Sequence, residues 1–130
     1  MMSQVTEDRD IYGKTFLVVE DEYLVAVDII EILGRAGADV LGPVSSLEAA
    51  LDLVNSARSI DGAILDINLR GAEVYPVADV LGTRGVPYAF MTAYNHGDLP
   101  DRFRSVPYLQ KPADPAAVLD LLQGLIQRLT

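Results

Sequence analysis

Four places in this chain set an ionisable or hydroxyl side chain at the end of a short apolar run. Glu20, Asp21 and Glu22 follow Thr15-Phe-Leu-Val-Val19, and Asp66 follows Gly62-Ala-Ile-Leu65. Thr92 closes the run that starts at Tyr88, and Lys111 follows Tyr108-Leu-Gln110. If Glu20, Asp21 and Asp66 converge, their repulsion amounts to several kcal/mol at an effective dielectric of about 20. Either their pKa values rise or a cation sits among them. A hard divalent ion suits such a group, and Mg2+ takes one or two carboxylates while keeping waters and phosphate oxygens as its other ligands. Asp66 is then placed to attack phosphorus as a carboxylate nucleophile. Lys111 can neutralise one oxygen of the transferring group, and the Thr92 hydroxyl can donate to another.

That chemistry requires strands that carry all four tips to one edge. The first run, Thr15 to Val19, is short and continuously apolar, as in a strand buried on both faces. Between the runs lie helical patterns. Val25, Ile29 and Ile32 line one face of a helix from Glu22 to Arg35, which Gly34 and Gly37 close. Asp39 to Val44 forms the second strand, and Ser45 with Glu48 has capping-box spacing ahead of Leu47, Ala50, Leu51 and Val54. A loop through Gly71 leads to a third helix around Pro76 to Thr83, which Gly85 ends, and Asp114-Pro115 starts the last helix, with Val118, Leu122, Leu125 and Leu129 inside.

Alternating strands and helices predict a parallel sheet covered on both sides. Five units in this length fit a flavodoxin-like (βα)5 three-layer sandwich of strand order 2-1-3-4-5. In that order strands 1, 3, 4 and 5 are contiguous, and they are the four with reactive tips. Strand 2, which ends in nothing ionisable, goes to the edge. Gly97, Pro100 and Pro107 leave the fourth helix room for only a short, irregular or mobile element.

The 130 residues suit one domain, expected over 14–130 behind a flexible acidic tail, 1–13. A net charge of −9 argues against nucleic acid and against anionic membrane surfaces. With no cysteine, disulfides, thiolate catalysis and zinc–thiolate sites are excluded. No apolar run approaches the length of a membrane span, and the N-terminus does not read as a signal peptide, so a cytoplasmic location is expected.

Val18-Val-Glu-Asp-Glu22, Leu65-Asp-Ile-Asn-Leu69, Met91-Thr-Ala93 and Lys111-Pro112, in that order, resemble the motif set of CheY-like response-regulator receiver domains of two-component signalling. The resemblance spans Lys14 to Thr130. It implies that Glu20 and Asp21, with Asp66 and the Asn68 carbonyl, bind Mg2+, and that Asp66 is the phosphoacceptor. Thr92 and Lys111 match the residues that hold the phosphoryl group, Tyr108 matches the switch aromatic, and the bond before Pro112 is expected to be cis. The implied function is a stand-alone receiver, phosphorylated in a Mg2+-dependent reaction by a sensor histidine kinase or histidine phosphotransfer protein. It would signal to a downstream protein through the face of the fourth helix, fifth strand and fifth helix. Such a domain catalyses only its own phosphorylation and dephosphorylation, and the oligomeric state stays open.

Val86-Pro-Tyr-Ala-Phe-Met-Thr-Ala-Tyr94 also resembles a narrower branch with a Phe-Ala-Thr-Gly motif, departing from it at Met91 and Ala93. Tyr94 is bulky where it could overhang the site and slow phosphoryl entry or hydrolysis. Two other readings compete. A Mg2+-dependent phosphohydrolase usually carries a second acid two residues after its nucleophilic Asp, where this chain has Asn68. A degenerate, phosphate-independent scaffold would not keep every tip residue. A nucleotide-binding flavodoxin relative is set aside for want of a glycine-rich phosphate loop.

Overall fold

Strands that are apolar at every position need cover on both faces, and alternation along each strand decides which side chain goes where. In the computed structural model, which describes residues 11–56, 59–93 and 96–127, that division is complete. Leu17, Val19, Ala63, Leu65 and Phe90 face one side, and Phe16, Val18, Ile64, Ala89 and Met91 face the other.

The elements run β1 (Thr15–Val19), α1 (Tyr23–Arg35), β2 (Asp39–Val44), α2 (Leu47–Ser56) and β3 (Gly62–Leu65). A small hairpin follows, β4 (Asn68–Leu69) and β5 (Ala72–Glu73), then α3 (Tyr75–Thr83) and β6 (Tyr88–Thr92). Two 3-10 turns (His96–Asp98 and Asp101–Phe103) lead to β7 (Tyr108–Gln110) and α4 (Pro115–Gln127). The main sheet is parallel, in the order β2-β1-β3-β6-β7. Counting principal strands only, that is the expected 2-1-3-4-5. Helices α2 and α3 bury Ala50, Val54, Val77, Ala78 and Leu81 against one face. Helices α1 and α4 bury Ile29, Leu33, Val118, Leu122 and Leu125 against the other. None of the described helices is long and apolar enough to cross a membrane.

Three local expectations need correction. Residues 11–13 belong to the domain, not to a tail. Ile11 is fully buried in the α1–α4 core, and the Gly13 N–H donates to the Gly37 carbonyl at 2.8 Å. Residues 1–10, the rest of the expected tail, lie outside the described residues, as does Leu129. Helix α2 is capped by Ser46 rather than Ser45. Its first residue is Leu47, so the hydroxyl that can accept the Ala49 N–H, at 3.1 Å, is the one directly before it. The stretch read as a loop after Asp66 contains the β4–β5 hairpin.

The fourth crossover is short and irregular as expected, and it is fastened. Phe103 is buried, stacked on Tyr75 at 5.0 Å and edge-on to Phe90 at 5.5 Å. The Arg102 guanidinium lies 4.4 Å from the Phe103 ring centroid and grips the Asp79 carboxylate through two hydrogen bonds. Aromatic packing thus does at this position what a regular helix would otherwise do.

Candidate functional site

Backbone hydrogen bonds continue the sheet one residue past its strands, and so fix the tips. The Asp66 N–H donates to the Val19 carbonyl at 2.8 Å, Glu20 N–H to Val44 at 3.0 Å, and Lys111 N–H to Thr92 at 2.8 Å. The Lys111–Pro112 bond is cis. Gly42–Pro43 is also cis, at the point where β2 shifts register against β1. The contiguous strands β1, β3, β6 and β7 therefore bring Glu20, Asp66, Thr92 and Lys111 to one end of the sheet.

The side chains meet there. Lys111 Nζ lies 2.9 Å from Glu20 Oε1, 2.7 Å from Glu22 Oε1 and 3.1 Å from Asp66 Oδ2. An ammonium has three donors, and all three are engaged. Glu20, Asp66 and Thr92 are buried, at 3%, 5% and 1% exposure. Glu20, Asp21 and Asp66 each offer a carboxylate oxygen within 4.8 Å of the others. A cleft of about 340 Å3 opens above them, lined by Asp21, Glu22, Asp66, Asn68, Arg70, Thr92, Ala93 and Lys111.

The electrostatics follow from burial. Desolvation pushes the Asp66 carboxyl from its ordinary 3.8 up to about 8, Glu20 adds to the rise, and Lys111 only partly offsets it. For Lys111 desolvation works downward, but the carboxylates of Glu22, Glu20 and Asp66 outweigh it and hold the ammonium above its usual range. A single ammonium thus under-compensates the carboxylates it touches, and a cation among Glu20, Asp21 and Asp66 would restore the balance. The chemistry such a cleft can perform is nucleophilic attack by a carboxylate on an anionic electrophile, with cationic groups neutralising the oxygens.

The other expected residues have distinct places. Asn68 opens β4, and its Oδ1 accepts the Gly71 N–H at 2.9 Å. Tyr108 is half-buried on β7 with its hydroxyl oxygen inside, where burial and then the Asp98 charge raise its pKa. Tyr94 lies outside the described residues. Two participants escaped the sequence reading. Glu22, taken there as part of an acidic run, is a direct partner of Lys111. Arg70 lines the cleft, and its N–H donates to Asp21 Oδ2 at 3.1 Å. The signal for Arg70 was the spacing Asn68-Leu-Arg-Gly71, a tight-turn pattern with a charged tip.

No protein-family model matches the chain. Solved structures do. SdrG from Sphingomonas melonis Fr1 is 36% identical, with a TM-score of 0.77, over 88% of this chain and 97% of that one. The BeF3-activated conformation of SdrG from Pseudomonas melonis Fr1 is 37% identical, with a TM-score of 0.74, over 88% and 98%. The response regulator PhyR from Brucella abortus shares the fold at a TM-score of 0.80 and 23% identity, over 99% of this chain and 54% of its own. Among curated proteins, the transcriptional regulatory protein PdtaR of Mycobacterium tuberculosis is 25% identical over 126 residues. The chain spans 61% of the length of that relative.

Proposed function

Since the chain belongs to the CheY-like response-regulator receiver family of two-component signalling, we propose that Asp66 accepts a phosphoryl group from the phosphohistidine of a histidine kinase or histidine phosphotransfer protein. The observation that carries this reading is the meeting of Lys111 with Asp66 and Glu20 at the ends of contiguous strands, beneath an open cleft. An Asp66 carboxylate oxygen forms the new bond to phosphorus while the donor's P–N bond breaks, and the histidine nitrogen keeps the electron pair. The Lys111 ammonium turns from its carboxylates to an oxygen of the arriving group, and the Thr92 hydroxyl donates to another.

Glu20, Asp21 and Asp66, with the Asn68 carbonyl, are the residues that would hold Mg2+, which supplies charge neutralisation for the phosphoryl oxygens. Their mutual reach and the raised Asp66 pKa both fit a divalent cation. The chain's own contribution is to exclude bulk water from Asp66 and to hold its carboxylate beside the Lys111 ammonium.

Signalling then needs two packings close in energy. Thr92 and Tyr108 sit on the paired strands β6 and β7, beside the 3-10 turns that stand in for the fourth helix. That face, with α4, is the output surface of this reading, and a partner protein reads it. The test is incubation with acetyl phosphate and Mg2+, followed by intact mass. Wild type gains one phosphoryl group and Asp66→Asn gains none. A folded wild type that stays unmodified, or an Asp66→Asn chain that is modified equally, refutes the assignment. BeF3, which activates the similar SdrG, offers a second arm: it should perturb the β6–β7 amides of wild type and leave Asp66→Asn unchanged.

A further inference from the structure

Among the described residues, Arg70 is the single non-glycine with a left-handed backbone, at φ +53°, and Gly71 follows at +90°. Two successive positive φ values form the tight turn that joins β4 to β5 with the favoured strand twist. Gly, Asn or Asp ordinarily fills the first of those positions, because other side chains crowd their own backbone there. The turn is fastened on both sides, by Asp21 Oδ2 on the Arg70 N–H and by Asn68 Oδ1 on the Gly71 N–H. Nothing in the backbone calls for arginine. What arginine adds is its guanidinium.

Arg70 lines the cleft over Asp66, and the charge of its guanidinium is uncommitted. The other described arginines each hold an acceptor: Arg35 holds Glu31, Arg84 the Val54 carbonyl, Arg102 Asp79 and Arg104 Asp101. Lys111 is shared among three carboxylates. No acceptor among the described residues takes the Arg70 side chain. A phosphoryl donor carries up to two negative charges and has to pass Asp21 and Glu22 at the cleft wall. Arg70 is the cation that can meet it before Lys111 does, and a guanidinium fork matches two phosphoryl oxygens.

We propose that Arg70 binds the phosphoryl oxygens of the incoming donor at the mouth of the Asp66 cleft, and that the strained turn is retained because it presents this side chain. The inference rests on the reading of Asp66 as phosphoacceptor. With acetyl phosphate, an Asp66 carboxylate oxygen forms the bond to phosphorus as the P–O bond to acetate breaks, and acetate leaves with the electron pair. Arg70 exchanges neither proton nor electron. It lowers the donor concentration needed, and the chemistry stays with Asp66.

The test follows phosphorylation by intact mass in Mg2+ against the concentration of acetyl phosphate and, separately, of phosphoramidate. Arg70→Gly suits the left-handed turn better than arginine does, so its thermal stability should equal or exceed that of wild type. Its half-saturating concentration for both donors should rise about tenfold, the factor expected for one charge-assisted hydrogen bond, with the maximal rate within about twofold. Arg70→Lys, which keeps the charge and loses the fork, should fall between. Equal half-saturation in wild type and Arg70→Gly overturns the inference. So does a loss confined to the maximal rate, which would place the effect of Arg70 on the transfer step and not on capture of the donor. Both results leave the phosphoacceptor reading standing. A folded wild type that takes no phosphoryl group from either donor removes that reading and this inference together.

Discussion

Replacing Asp66 by asparagine keeps the shape of the side chain and an oxygen for Lys111 to donate to, while removing the charge. Burial and Glu20 place the folded Asp66 pKa at about 8, against an ordinary 3.8. Between those values the folded chain holds a proton that the unfolded chain has released, so wild type loses about 1.4 kcal/mol of stability per pH unit. The sign is that of a raised carboxyl: its contribution is complete below the ordinary value and is lost as pH rises through the folded one. Asparagine does not titrate, and the difference between the two proteins isolates Asp66. The ceiling on that difference near neutral pH is about 4 kcal/mol, and water at the cleft mouth reduces the expected gap to about 1–3 kcal/mol. Urea unfolding in EDTA across the acid-to-neutral range should show the two proteins nearly equal at the acid end and Asp66→Asn more stable at neutral pH. Mg2+ should then stabilise wild type, by about 2.7 kcal/mol at a hundredfold excess over its Kd, and leave the variant almost unchanged. A variant less stable than wild type at neutral pH without metal would refute the electrostatic account. So would a gap that does not change with pH.

Lys111→Met removes the ammonium shared by buried Glu20 and Asp66. Because the carboxylates remain, thermal melts should show a loss of about 3–5 kcal/mol without metal, and intact mass should show little or no phosphoryl transfer. Phe103→Ala empties the slot between Tyr75 and Phe90, and denaturant unfolding should report a loss of about 3–5 kcal/mol. Arg102→Ala breaks only the exposed pair with Asp79 beside the same ring, so its cost should stay near 1 kcal/mol or below. The contrast tests whether the ring or the ion pair fastens the fourth crossover.

The four reactive tips were legible because a tip is a local property. The end of an apolar run marks the end of a strand, and strand order then decides which tips are neighbours. Lys111 and Glu20 are 91 positions apart, yet both follow directly from a strand end, and the topology joins them without further information. The poor fourth helix was legible for the same reason, since Gly97, Pro100 and Pro107 act on their own backbone. What stayed hidden depends on choices that several residues could make equally well. Ser45 and Ser46 are both good caps, and only the phase of α2 against the sheet selects the second. Ile11 stands beside charged neighbours, and its burial depends on a slot that α1 and α4 create only once they are packed. Glu22 looks like any acid at a helix start until the Lys111 rotamer reaches it.

Arg70 combines both cases. Its turn was readable in Asn68-Leu-Arg-Gly71, but a turn by that pattern accepts many residues, and only the φ of +53° shows that this residue sits there against its own preference. Asp21 ties that turn to the acidic group through the hydrogen bond it accepts from the Arg70 N–H, which couples the hairpin to the carboxylate cluster. A displacement at Asp21 on cation binding would therefore carry the Arg70 side chain with it. The same coupling predicts that Asp21→Ala loosens the turn as well as the cation site, and hydrogen exchange at the Arg70 amide would read this directly. Unchanged protection of that amide in Asp21→Ala would mean that the hairpin holds its shape through Asn68 alone.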